Sequence, residues 1–193
     1  MDLDDLGRAQ AAAAAEVLGA SRVDVLVSSD LSRAASTAQP LADRTGMPLR
    51  LDARLRELDL GAWQGLTTQE ASERFPEEHA AWRAGADVAR GGGETYAQAG
   101  ARAAACVLEA LAAAPADGTV VAVTHGGTAR GALGVLLELD PRSWWRLTAL
   151  GNTCWSVVTE GELGWRLEQH GVSAPSGPPE PARAPGPAGG PVR

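Results

Sequence analysis

The stretches VDVLVSS (Val23 to Ser29) and TVVAVT (Thr119 to Thr124) are short, continuously apolar and rich in valine. Runs of that length without polar alternation fit strands covered on both faces, as in a parallel sheet flanked by helices. Each passes directly into a helical pattern, LSRAASTAQPLADRTG after the first and GGTARGAL after the second. Repetition of strand and helix predicts an α/β fold in three layers, a mostly parallel sheet with helices on both faces. In such sheets ligands sit beyond the carboxyl ends of the strands. Those ends here carry Ser28 and Ser29, and Thr124 and His125.

The remaining text fills out this plan. Leu3 to Leu18 has leucine and alanine at helical spacing, and Gly19 is expected to close that helix in a left-handed cap. Pro40 is expected to kink or break the Leu31 to Gly46 helix, because it removes a donor and crowds the preceding turn. PLRLDARLREL has extended character, and two short helices separated at Pro76 are predicted between Thr67 and Ala84. Thr95 and Gln98 stand at capping-box spacing ahead of a long helix. Asn152 to Val158 and Leu163 to Leu167 read as a strand pair joined through Glu160 and Gly161. From Val172 onward proline, glycine and alanine dominate, which leaves too little apolar surface to offset ordering entropy. The expectation is one domain over residues 1–171 and a disordered tail over 172–193.

Composition excludes several function classes. The 193 residues are 45% hydrophobic, enough for a real core, and carry a formal net charge of -7. That charge repels phosphate backbones, so no nucleic-acid partner is expected, although a small anion in an arginine-lined pocket is compatible with it. No apolar run approaches the ~20 residues that span a bilayer, so no membrane partner is expected and a cytoplasmic location is. Cys106 and Cys154 are too far apart for a metal-ligand spacing and read as two buried thiols. His79 and His170, in a charged helical stretch and at the edge of the tail, read as solvated.

Chemistry is concentrated at three places. His125 opens a glycine-containing helix start, where free amides and the helix dipole suit a phosphate and glycine lets an anion approach the backbone. Arg33 lies in the first turn of the helix after the other strand, where a guanidinium can fork onto two phosphate oxygens. Glu57 precedes a glycine-punctuated loop bearing Trp63, which is expected over a pocket mouth. In a dry site beside a phosphate dianion a carboxyl holds its proton to higher pH and can protonate a leaving oxygen. Solvated Arg33, and Glu57 paired on the surface with Arg54 or Arg56, are the competing readings.

VSSDLSRAASTA, LRELDLGAWQGL and THGG, in that order, resemble the signatures of the histidine phosphatase superfamily, in its phosphoglycerate mutase-like branch. GGGET ahead of the long helix is similar to another element of that family, and the likeness covers Leu3 to about Leu167. The resemblance implies that Arg33 clamps a phosphoryl group, Glu57 donates a proton, and His125 with the Gly126 amide holds phosphoryl oxygens. It implies no metal and no cofactor. It makes a small phosphorylated metabolite the substrate, read by loops and by the insertion from Thr67 to Arg90, where Trp63, Trp82 and Arg83 are candidates. The short interval from Glu57 to His125 favours a phosphatase over a mutase.

The family also begins with a strand ending in Arg-His-Gly, whose histidine forms a phosphohistidine, and no such motif occurs here. The expectation is a sheet lacking its first strand and a chain cut at its front, inactive by the covalent route. The alternative is a phosphate-binding module without a nucleophile. Trp144 and Trp145 in PRSWWRL are expected to close the core or a homodimer face; an exposed interaction hot spot is the weaker reading.

Overall fold

The computed structural model describes residues 2–175. Six helices and five strands alternate as α1 (Asp5–Leu18), β1 (Val25–Ser28), α2 (Ser32–Thr45), β2 (Leu49–Leu51), α3 (Thr68–Arg74), α4 (Pro76–Arg83), α5 (Tyr96–Ala112), β3 (Val120–Val123), α6 (Gly126–Leu136), β4 (Trp155–Gly161) and β5 (Gly164–Val172). Strands β2, β1 and β3 form a parallel sheet in that order, and β4 and β5 form a separate antiparallel hairpin. The expected α/β layering is present. The hairpin departs in its turn: β4 continues through Glu160 to Gly161, and Gly164 at φ 99° starts the return strand. Most of the expected tail, residues 176–193, lies outside the described residues.

Alternation along β1 builds both layers. Leu26, fully buried, packs with Ala15, Leu41 and Ala42 from α1 and α2. Val25 and Val27 point the other way, against Ala103, Cys106 and Ala110 of α5 and Ala132 of α6. Burying each such valine or leucine is worth ~1.5–3 kcal/mol, so a slip of one residue in β1 would forfeit both faces together. Both cysteines are free; Cys106 is buried in this core and Cys154 is only half-buried, a partial departure from the expectation.

Local chemistry sets the helix ends. Asp4 accepts from the Gly7 amide at the start of α1, and the Thr95–Gln98 capping box forms at the start of α5, as does an equivalent Thr67–Glu70 box on α3. Pro40 sits inside α2, which continues to Thr45. Gly19 is not left-handed; its φ is -76°. Glycine is needed there for space, because a Cβ would stand 2.5 Å from Arg44 Cδ and 2.7 Å from the Ala15 carbonyl oxygen. A closer approach joins α5 to α6, where a Cβ on Gly100 would meet the Gly131 carbonyl carbon at 2.4 Å.

Helices α3 and α4 cover an aromatic cluster. Trp63, Phe75, His79, Trp82, Tyr96 and Trp145 touch one another at centroid separations of 5.4–6.3 Å. Trp144 is buried against Gly134, and its indole donates to the Leu139 carbonyl. Trp144 and Trp145 therefore close the core, and the exposed hot-spot reading does not hold. Among the described residues no helix is long and apolar enough to cross a membrane.

Candidate active site

The parallel sheet ends at β3, whose open edge faces β4 across a cavity of ≈1280 Å³. Arg33, Glu57, His125 and Gly126 share its wall. The register explains this convergence: Ser28 of β1 lies beside Val123 of β3, so the chain leaves both strands at the same edge. Arg33 follows one strand and His125 the other. Glu57 is brought to them by Thr124 Oγ1 and Thr128 Oγ1, which donate to the carbonyls of Leu55 and Arg56 at 2.8 Å each.

The Glu57 carboxylate lies on the first turn of α6. It accepts from the Gly127 amide at 3.3 Å and the Thr128 amide at 3.0 Å, and Oε1 also takes its own neighbour's Leu58 amide at 2.8 Å. A Cβ on Gly127 would stand 2.9 Å from Glu57 Oε1, so the second glycine of THGG makes room for a carboxylate of this chain. Open space surrounds Gly126, where the nearest atom to an added Cβ is the Leu150 carbonyl oxygen at 3.8 Å. The amide left for an outside anion is therefore that of Gly126, at the positive end of the helix.

The competing surface pairing of Glu57 is absent. Arg54 binds Asp52 and Glu109, and Arg56 binds Asp30. Arg33 makes no ion pair among the described residues, although most arginines around the sheet do. An unpaired guanidinium on a cavity wall is a ready acceptor of an external anion.

His125 is half-buried, with Nε2 2.9 Å from Ser29 Oγ. Ser29, itself fully buried, is the functional neighbour that sequence reasoning named only as a polar strand end. Burial pushes the imidazole down to about 4; Glu57 pulls it back up, while Arg33 pushes it further down. At neutral pH the ring is uncharged, so the wall presents one cation, Arg33, with the His125 ring and the Gly126 amide as neutral groups beside the Glu57 carboxylate. Such a set suits a tetrahedral oxyanion, and Arg33 has no internal ion pair to break among the described residues.

Trp63 is not at the cavity mouth. It is buried in the aromatic cluster beside Phe75, His79 and Trp82, because α3 and α4 fold over the loop that carries it. Trp82 is buried in the same cluster, and Arg83 is exposed. Neither remaining histidine is simply solvated. His79 packs between Trp63 and Trp82, and His170 is held by Ser156 Oγ at 2.8 Å and the Thr148 carbonyl at 3.0 Å. Of the three histidines only His125 lines the cavity. Among the described residues no group of three or more His, Cys, Asp or Glu is arranged to hold a metal ion.

The cavity runs along β3 from Thr119 to His125, and at its His125 end Arg33, Glu57 and His125 share the wall. The chain matches the model of the histidine phosphatase superfamily (branch 1) over residues 1–173. The chain belongs to that superfamily. It is 39% identical over 188 residues to the glucosyl-3-phosphoglycerate phosphatase of Mycobacterium tuberculosis strain H37Rv, covering 90% of this chain and 84% of that protein. It is 40% identical over 190 residues to the protein of the same name from Mycolicibacterium vanbaalenii, with the same coverage. The solved structure of a mycobacterial glucosyl-3-phosphoglycerate phosphatase with inorganic phosphate superposes with a TM-score of 0.82 at 41% identity, covering 90% of this chain and 88% of that one.

Proposed function

We propose that this site, joined by the family's nucleophilic histidine, hydrolyses the phosphomonoester of a small phosphorylated metabolite, with glucosyl-3-phosphoglycerate the favoured substrate. The observation that carries the reading is the shared cavity wall: Arg33, Glu57, His125 and Gly126 border one space. Relatives at 39–40% identity over nine-tenths of the chain support the substrate.

In this reading Arg33 takes two oxygens of the phosphoryl group, and His125 and the Gly126 amide take the third as charge shifts onto it. Glu57 passes its proton to the oxygen of the departing alcohol as the P–O bond breaks. Preorganised donors of this kind supply most of the stabilisation in phosphoryl transfer. Attack on phosphorus belongs to the histidine of the family's Arg-His-Gly strand, and the phosphohistidine so formed is then hydrolysed by water. The 193 residues contain no such motif. Of their histidines only His125 reaches the cavity, in the oxygen-holding place. We therefore assign to these residues by themselves the second reading, phosphate binding without covalent turnover. A cytoplasmic setting accords with two unpaired thiols.

Incubation with p-nitrophenyl phosphate tests this. A pure, folded sample of residues 1–193 is expected to bind phosphate or vanadate and release no nitrophenol. The same chain extended at its front by a strand ending in Arg-His-Gly is expected to hydrolyse glucosyl-3-phosphoglycerate. Turnover by the unextended chain would overturn the assignment of the nucleophile; failure to bind phosphate or vanadate would overturn the site.

A further inference from the structure

Four consecutive carbonyls, from Arg54 to Glu57, each receive a side-chain hydrogen bond. Thr124 supplies Leu55 and Thr128 supplies Arg56. The others come from one residue: Arg102 of α5 donates to the carbonyls of Arg54 at 2.6 Å, Arg56 at 2.8 Å and Glu57 at 3.2 Å. Its remaining edge is held by Glu94, through Nε at 2.8 Å and Nη2 at 2.7 Å. Glu94 also accepts from the Asp59 amide at 3.0 Å, so the pair grips the loop on both sides of Glu57. Three glycines let the two loops close together: a Cβ on Gly61 would meet the Gly91 carbonyl oxygen, and one on Gly93 the Asp59 carbonyl oxygen, at 2.2 Å each.

We propose that Arg102, braced by Glu94, is the positioning residue for Glu57, fixing its carboxyl over the first turn of α6 and beside the anion seat. An exposed loop would leave a glutamate among several rotamers. Here the backbone on which Glu57 stands is tied at every carbonyl, and only a planar fork of donors spans three of them while pairing with a carboxylate. Lysine keeps the charge but offers one compact ammonium, which cannot reproduce that span. The proposal rests on the reading of the cavity as an anion site.

Sulfate is a suitable probe, being tetrahedral and doubly charged throughout the carboxylate range. Its affinity is measured by calorimetry from about pH 4 to pH 8 for the wild type, E57Q, R102K, R102M and E94Q, with melting curves to confirm folding. Charged or titratable groups around Glu57 are His125, whose ring it acts on, Arg102, which binds its carbonyl, and Arg33 on the same cavity wall. E57Q removes the Glu57 contribution and leaves those of the others. The wild type is expected to lose about tenfold more affinity than E57Q as pH rises, from repulsion between a fixed carboxylate and the dianion. In R102K that excess is expected to shrink to about twofold, with total charge unchanged, and E94Q should fall between. A folded R102K with the wild-type profile would overturn the proposal, and R102M is expected to lose the excess at least as fully as R102K. Absence of sulfate binding by the wild type at every pH would instead overturn the anion site, and this inference with it.

Discussion

Replacing Arg33 with methionine is expected to weaken phosphate binding by about a hundredfold or more while leaving the fold intact. A guanidinium forking onto a phosphoryl group makes two charge-assisted hydrogen bonds, each worth ~1.5–3 kcal/mol. Loss of both exceeds the ~2.7 kcal/mol that corresponds to a hundredfold in affinity. Stability should change little, because Arg33 is exposed and makes no ion pair among the described residues. Surface changes of that kind lie within about 0.5 kcal/mol. Calorimetric titration of R33M with phosphate checks the effect. An affinity within threefold of wild type would remove Arg33 from the site.

The second large effect concerns folding. Gly131→Ala adds a helix-favouring residue to α6, a gain of ~1 kcal/mol on propensity alone. Against it, the new methyl would stand 2.5 Å from the Tyr96 carbonyl oxygen and 2.9 Å from Gly100 Cα, both backbone atoms of α5. Neither can rotate away, so the helices must separate, and overpacking of this kind costs ~1–3 kcal/mol, occasionally more. With two backbone contacts under 3 Å the clash should win, with net destabilisation of up to about 2 kcal/mol for alanine and more for valine. Separation of α5 from α6 also disturbs Arg102 and the amides that seat Glu57, so phosphate affinity should fall with stability. Urea titration measures the first and calorimetry the second. A G131A protein at least as stable as wild type would show that this crossing has slack.

Much of the framework was legible because each cue is local. Valine runs ending in polar residues gave β1 and β3, and the Thr95–Gln98 spacing gave the start of α5. Arg33, Glu57 and His125 were legible as a group because each follows a strand or loop end on the same edge of the sheet. What escaped depends on partners distant in the chain. Trp63 looks like a loop aromatic until α3 and α4 close over it. Gly19 reads as a left-handed cap, yet its role is to admit Arg44 from the next helix. Arg102 is one helical arginine among many, and its link to Glu57, 45 positions earlier, exists only once α5 lies against that loop.

The glycines of THGG carry the same lesson. The sequence points to an outside anion at this helix start and names the Gly126 amide for it, leaving Gly127 without a role of its own. The structure divides them: Gly127 admits the Glu57 carboxylate, and Gly126 is left facing open space. The Glu57 carboxyl, seated on the Gly127 and Thr128 amides, is thereby held beside the remaining amide. In the proposed reaction this puts the carboxyl within reach of the departing oxygen.

The account depends on a single tetrahedral anion meeting Arg33, His125 and the Gly126 amide at once. Tungstate, a heavy analogue of phosphate, can be located directly by its anomalous scattering in crystals of this protein. The predicted result is one dominant peak within hydrogen-bond reach of all three groups, next to the Glu57 carboxyl. A peak elsewhere, or none at saturating tungstate, would contradict it.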